Sequence, residues 1–235
     1  MAYGWDTPTS DLDLCVFTPQ PWPGAPGGPT NPVSSLPVLL RPDSILVEVT
    51  RVAGRRCELK YWTDSQLDQT LDKVSWDAFE AGELTQGVLS PEELGVLQAL
   101  ERAVPLEGEA WLRAKVERLT RSATRAMICS RLLTLADGLT EDAAGHLRSG
   151  DTDSAVMTAW LGYGLAVDAV LAAHGELGEN PKWRPRRVRA AARPELPYDD
   201  FWAVTTLRDL DPADPVRWVN RTVRACQQLS AQVDF

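Results

Sequence analysis

The chain is poor in the residues that form cysteine and histidine metal clusters. Its 235 residues include four cysteines and two histidines, and the cysteines are far apart with no CxxC pair: Cys15, Cys57, Cys129 and Cys226. This spacing indicates neither a zinc site nor a disulfide framework. We therefore expect reduced thiols and a cytoplasmic protein.

Long apolar runs and excess positive charge are also missing. The most apolar stretch, 159–173, contains Asp168 and is shorter than the roughly 20 residues of a membrane span. Lys and Arg number 24 against 33 Asp and Glu, for a net charge of -9. Because nucleic-acid binding needs a basic surface, we expect no nucleic acid as partner. Because the apolar stretch is short, we expect no membrane as partner either. An acidic surface favours a cationic partner instead.

Strand-like alternation characterises the first part of the chain. Apolar and polar residues alternate over Leu12–Phe17, Ile45–Thr50 and Cys57–Trp62, which predicts three strands. The segment Thr18–Pro42 is rich in proline, which cannot donate ladder hydrogen bonds, and predicts a long loop. The short Ala53–Arg55 segment predicts a hairpin turn.

Helical spacing dominates from about Asp64 onward. Ser90 and Pro91, followed by two glutamates, are typical of a helix N-terminus. Further helices are predicted over Glu109–Asp137, Thr152–His174, Tyr198–Leu210 and Pro215–Val233. We therefore expect an α+β fold, with a small mixed sheet in residues 1–87 and a C-terminal helical bundle in residues 88–235, divided near Gly87.

Carboxylates on the predicted strands suggest a metal site. Asp11 and Asp13 are two residues apart, so they should project from one face of the first strand. Two close carboxylates repel each other, and Mg²⁺ relieves that repulsion. Glu58 would join them if its strand lies beside the first. Three such carboxylates around divalent ions can hold a nucleoside triphosphate in line with an attacking hydroxyl.

The start of the chain resembles a known signature. Residues 1–14 are similar to the pattern GSxAxG, five residues, then SDxDL, of the nucleotidyltransferases in the DNA polymerase β superfamily. Five residues fall on its fixed positions: Ala2, Gly4, Ser10, Asp11 and Asp13. Cys57–Trp62 is similar to the strand that carries the family's third acidic residue, and Gly178–Trp183 resembles the accessory bundle of aminoglycoside nucleotidyltransferase-like proteins.

This resemblance implies a Mg²⁺-dependent enzyme that transfers a nucleoside monophosphate, AMP from ATP, to a hydroxyl of a small molecule. An aminoglycoside-like acceptor, and with it antibiotic resistance, would suit the acidic surface. Asp11, Asp13 and Glu58 would be the catalytic residues and metal ligands, although Glu58 could instead be the base that accepts the hydroxyl proton. The expected nucleotide contacts are Gly4, Ser10 and Lys182.

One departure from the family pattern bears on activity. The family's Gly-Ser pair, which cradles the triphosphate, would lie immediately before Met1. We expect either a start assigned downstream of the natural one or a shortened member, in which another chain of a homodimer could cover the sheet edge. Two alternatives stay open: a non-catalytic, antitoxin-like regulatory relative, and a transferase that modifies a protein side chain.

Several other polar residues have competing interpretations. The basic segment Lys182–Arg193 would contact nucleotide phosphate or form a solvated helix face. Lys60 would balance the acidic cluster, and Glu48 is a competing third acid. We expect structural roles for His146 and His174.

Overall fold

The computed structural model describes residues 10–23, 30–32, 39–81 and 89–234. Contacts divide the chain into two compact units, Met1–Thr124 and Arg125–Phe235. Among the residues that the structure describes, the first contains a sheet and four helices, and the second contains helices only. The α+β fold class predicted from the sequence is confirmed.

The sheet is small and mixed. Its four strands, in chain order, are β1 (Leu12–Thr18), β2 (Thr30–Pro32), β3 (Ser44–Val52) and β4 (Arg55–Thr63). They lie in the order β1-β4-β3-β2. Strand β4 pairs in parallel with β1 and antiparallel with β3. The three strands predicted from alternation are all present, and β4 lies directly beside β1.

A two-residue turn joins β3 to β4, as predicted. Ala53 and Gly54 both have positive φ, at 50° and 80°, and Val52 pairs with Arg55 across the turn. Turns with two positive φ values match the right-handed twist of the flanking strands, and glycine adopts that conformation without strain.

The proline-rich segment is not entirely loop. Thr30–Pro32 pairs antiparallel with β3 and forms the outer strand β2. Proline is tolerated there because an edge strand leaves one row of its backbone N–H groups unpaired. The prediction of a long loop from Thr18 to Pro42 was therefore wrong at these three positions and at Thr18, the last residue of β1.

Four helices accompany the sheet: α1 (Asp64–Lys73), α2 (Trp76–Glu80), α3 (Pro91–Glu101) and α4 (Glu109–Thr120). The predicted start of α3 is confirmed, since Ser90 and Glu93 form a reciprocal capping box at its N-terminus. Glu93 also accepts a 2.6 Å hydrogen bond from Lys73 of α1, and both side chains are almost fully buried. This pair fixes α3 against α1.

The helix predicted over Glu109–Asp137 is two helices. It breaks after Thr120 and resumes at Thr124. At the break, the Ser122 hydroxyl accepts from the Thr124 N–H at 3.2 Å and donates to the Leu119 carbonyl at 2.7 Å. A serine side chain that bonds to nearby backbone in this way competes with continuous helix.

The two compact units divide at this break rather than near Gly87. Gly87 itself lies outside the described residues. Helix α4 belongs to the first unit because Lys115 and Arg118 both contact Asp68 of α1, at 2.6 Å and 2.7 Å. The Ala123 N–H donates to the Val74 carbonyl as well.

Five helices build the second unit: α5 (Thr124–Ser149), α6 (Thr152–Ala173), α7 (Arg184–Ala191), α8 (Tyr198–Thr205) and α9 (Pro215–Ser230). A short 3₁₀ turn, Pro181–Trp183, precedes α7. Helix α8 ends earlier than predicted, and Leu207 beyond it has a left-handed φ of 53°. Helices α6 and α9 agree with the predicted segments to within three residues at each end.

Helix α6 forms the centre of the second unit. Tyr163, Val167 and Val170 are buried against residues of α5, α7, α8 and α9. Among the described residues, α6 is long and apolar enough to cross a membrane by length and composition, but 72% of its most apolar window is buried inside the protein. Central helices of compact proteins meet the same criterion.

One buried acid on α6 pairs with two arginines. Asp168 accepts hydrogen bonds from Arg184 Nε at 3.0 Å and Nη2 at 2.6 Å, and from Arg187 Nη2 at 2.6 Å. The side chains of Asp168 and Arg187 are 2% exposed. Two arginines of the basic segment, one buried and one largely buried, therefore pair with an internal acid rather than with solvent, so the interpretation of the segment as a solvated helix face does not hold at these two positions.

Candidate functional site

The candidate site is formed where β1 and β4 run in parallel. Asp13 of β1 is the direct neighbour of Glu58 on β4, and Asp11 lies two residues before Asp13. Residues opposite each other in a ladder project from the same face, as do residues two apart on a strand. The sheet therefore brings all three predicted carboxylates to one face.

Two basic residues on β4 share this face with the carboxylates. Arg56 donates to Asp11 at 2.6 Å and to Glu58 at 3.4 Å, so one guanidinium bridges two of the three acids. The hydrogen bond and the charge of Asp11 raise the pKa of Arg56 further above its ordinary value. Arg56 is thus a counter-ion for the acidic face.

Lys60 neutralises a second part of the acidic face, as predicted. Its ammonium lies 3.7 Å from Glu58 and 3.0 Å from Glu92 at the start of α3. Partial burial lowers the pKa of Lys60, but the hydrogen bond from Lys60 to Glu92 and the charges of the two glutamates outweigh burial, so the net shift is upward. Lys60 therefore remains a cation.

The donor set suits a hard divalent cation, since Mg²⁺ prefers carboxylate oxygens. In this structure the Asp11 and Glu58 carboxylates are paired with Arg56 and Lys60 and do not converge on a common point where an ion could bind. In the part of the chain that the structure describes, no group of three or more Asp, Glu, His or Cys side chains is arranged to hold a metal ion. Metal binding would thus require Asp11 and Glu58 to turn away from Arg56.

Comparison with known proteins gives one structural likeness. The crystal structure of a nucleotidyltransferase-like protein from Exiguobacterium sibiricum 255-15 superposes on 80% of this chain with a TM-score of 0.43 and 12% sequence identity. The match covers 57% of that protein, so this chain corresponds to little more than half of it. No protein-family model and no curated protein matches the chain.

The three predicted nucleotide-binding residues have different positions. Gly4 lies outside the described residues. Ser10 immediately precedes Asp11, and its carbonyl accepts from Arg55 at 3.2 Å. Lys182 belongs to the second unit, in the 3₁₀ turn before α7, where its ammonium lies 5.3 Å from the centroid of the Trp183 ring.

Glu48, the competing third acid, is on the other face of the sheet. Its partner across the β3–β4 ladder is Leu59, next to Glu58 in sequence, so its side chain projects away from the carboxylates. The hydroxyl of Tyr61 donates to Glu48 at 3.1 Å. This placement leaves Glu58 as the acid beside Asp13.

Sequence reasoning missed two members of the site. Arg56 is two residues before Glu58 on β4, so the alternation that placed Glu58 also places Arg56 on the same face. Glu92 was recognised only as a first-turn acid of α3. Its contact with Lys60 is a tertiary feature that no local pattern indicates.

An open cavity of about 410 Å³ lies elsewhere on the first unit, between α1, α2 and α4. Trp76, Arg118 and Arg121 contribute to its wall, whereas the three candidate carboxylates do not. Both arginines form ion pairs with neighbouring acids. The arrangement is that of a surface cleft held by its own salt bridges.

Proposed function

We propose that this chain is a divalent-cation-dependent nucleotidyltransferase that moves AMP from ATP to a hydroxyl of a small molecule in the cytoplasm. The observation that supports it most directly is the parallel pairing of β1 with β4, which makes Asp13 the neighbour of Glu58 on the face that carries Asp11. The sequence signature around Ser10, Asp11 and Asp13 agrees with that placement.

In the proposed reaction the acceptor oxygen forms a bond to the α-phosphorus of ATP. The bond from that phosphorus to the bridging oxygen breaks, and pyrophosphate leaves. Asp11, Asp13 and Glu58 would hold Mg²⁺, which would supply positive charge at the phosphates. The hydroxyl proton would pass to solvent or to a carboxylate oxygen on the same face.

The protein's own cations have a part in this proposal. Lys60 pairs with Glu92 and lies beside Glu58, where its charge would face the phosphates. Ser10, immediately before Asp11, would contact the nucleotide phosphates, as the resemblance implies. The net charge of -9 agrees with a polycationic, aminoglycoside-like acceptor.

Loss of pyrophosphate release in carboxylate variants tests the assignment. Asp13→Asn and Glu58→Gln should reduce ATP-dependent pyrophosphate release, measured with a panel of hydroxylated polyamines, to background. Glu48→Gln is the matched control, because Glu48 lies on the same hairpin but on the opposite face. Full activity in Asp13→Asn would refute the carboxylate assignment.

A second candidate follows from the bridge made by Arg56. Because a guanidinium already pairs with Asp11 and Glu58, the fold is also compatible with a non-catalytic, antitoxin-like relative that needs no metal. Calorimetry with Mg²⁺-ATP separates the two. Saturable heat that disappears in Asp13→Asn supports the transferase, whereas absence of heat in the wild type supports the non-catalytic relative.

A further inference from the structure

Arg56 is positioned where an incoming cation would have to bind. Its Nη1 lies 2.6 Å from Asp11 Oδ2 and its Nη2 lies 3.4 Å from Glu58 Oε2. A carboxylate oxygen engaged by a guanidinium has less capacity to coordinate a metal ion, and a nearby positive charge repels that ion. We propose that Arg56 is a built-in competitor of the divalent cation, so that the metal binds only when the Arg56 guanidinium is displaced.

This inference rests on the proposed function, because it concerns the same carboxylates. The two cations on the carboxylate face of β4, Arg56 and Lys60, differ in a way that singles out Arg56. Lys60 is closer to Glu92 than to Glu58, at 3.0 Å against 3.7 Å, so it keeps a partner when Glu58 turns to a metal ion. The hydrogen bonds of Arg56 within the described residues go to Asp11 and Glu58 alone.

The exposure of Arg56 permits the displacement. Its side chain is 44% exposed, and that of Asp11 is 40% exposed. Exposed ion pairs are weak because water solvates both charges well, so the guanidinium can rotate into solvent without a change in the strand. The bridge would therefore set the affinity for the metal rather than block the site.

The positive charge of Arg56 also weakens the attraction of the carboxylates for a metal ion. With Arg56 in place, one positive charge offsets part of the negative charge of Asp11 and Glu58, which reduces the mutual repulsion of the acids that a bound metal ion would relieve. Removal of Arg56 restores that repulsion. A variant without the guanidinium should therefore bind a divalent cation more tightly than the wild type does.

Metal binding to the full chain without nucleotide tests the proposal. Mn²⁺, followed by the electron paramagnetic resonance signal of the free ion, serves as the probe. Arg56→Gln should bind Mn²⁺ about fivefold more tightly than the wild type, on the scale of an exposed pair of charges. Arg56→Lys, which can reach only one carboxylate well, should lie between them.

Arg51→Gln is the matched control. Arg51 is the direct neighbour of Arg56 across the β3–β4 ladder, but it donates to the Gly54 carbonyl at 3.1 Å rather than to an acid of the site. The control removes one positive charge at nearly the same place. Its Mn²⁺ affinity should stay within about twofold of the wild type, because screened charges beyond contact distance interact weakly.

Three results would overturn the proposal, and they separate it from the proposed function. Equal Mn²⁺ affinity in the wild type and Arg56→Gln, with binding lost in Asp13→Asn, would refute the competition and leave the metal site intact. Equal tightening in Arg51→Gln and Arg56→Gln would show general electrostatics instead. No Mn²⁺ binding in any variant, with circular dichroism confirming the fold, would refute both.

Discussion

Replacing Asp168 by asparagine should strongly destabilise the second unit. In the wild type, this carboxylate neutralises Arg184, which is 13% exposed, and Arg187, which is 2% exposed. The substitution keeps the size of the side chain but removes its charge. Two buried guanidinium groups are then left without an anion, and removal of one partner from such a cluster costs about 3–5 kcal/mol.

That loss is large compared with the total stability of a domain, about 5–15 kcal/mol. With a urea m-value of about 2 kcal/mol/M, the unfolding midpoint should fall by roughly 2 M. The assay is equilibrium unfolding in urea followed by circular dichroism. Asp142→Asn is the control, because Asp142 is exposed on α5, and its effect should stay within about 0.5 kcal/mol.

A second variant of the cluster should behave differently. Within the described residues, Arg187 Nε and Nη1 are buried without a hydrogen-bond partner, which already costs stability. Arg187→Met removes those two groups and leaves Asp168 with its two-point contact to Arg184. We expect a loss of about 1 kcal/mol or less. An equal cost for Arg187→Met and Asp168→Asn would refute the charge argument, as would an Asp168→Asn midpoint near that of the wild type.

Two further predictions concern the same unit. A Cβ added at Gly164 would lie 2.8 Å from a guanidinium nitrogen of Arg184, which cannot move aside freely because it is paired with Asp168. In the same urea assay, Gly164→Ala should therefore be less stable by about 1–3 kcal/mol than Gly138→Ala, a helical control with open space around it; equal stability would contradict this. Burial raises the pKa of Cys129 to about 11 and of Cys226 to about 12, whereas an unfolded thiol has a pKa of about 8.5. Both thiols should therefore resist a thiol reagent at pH 8 until the chain unfolds, and rapid labelling of the folded protein at either position would refute this. The free energy of unfolding should decrease as the pH rises above about 9, because the unfolded state then loses protons that the folded state keeps.

Much of the sheet was predictable because its signals are local. Alternation identified β1, β3 and β4, and the short Ala53–Arg55 segment indicated the turn between the last two. The α+β class follows from the change of period after β4. Strand β2 could not be predicted, because its three residues pair with a distant strand and lie among prolines.

The site was predictable only in part, for a related reason. Period two along a strand placed Asp11 with Asp13, but only the sheet topology could place Glu58 beside them. The pairing of the acids with Arg56 was not predicted, because the motif was interpreted from its carboxylates alone and Arg56, two residues before Glu58, was left out. Asp168 appeared only as an interruption of an apolar run, since its two partners lie 16 and 19 residues later.

The end of α4 shows a similar limit. Periodicity continues across Arg121–Ala123, so a single long helix was expected there. The side-chain hydrogen bonds of Ser122 interrupt it, and the chain divides into its two units after Thr124. The hydrogen bonds of one serine side chain to nearby backbone thus end α4 at a place that the helix propensities of the surrounding residues do not indicate.

The parallel pairing of β1 with β4 has a consequence for how the protein acquires its acidic face. Asp13 and Glu58 are 45 positions apart (58 − 13), whereas β3 and β4 are joined by two residues and can form a hairpin within microseconds. Closing the longer segment costs chain entropy before any contact compensates for it, so we expect β1 to join a preformed hairpin. A divalent cation at the proposed site, bound by both strands, would then hold β1 in place and slow its release, so that the ion would act as a folding ligand.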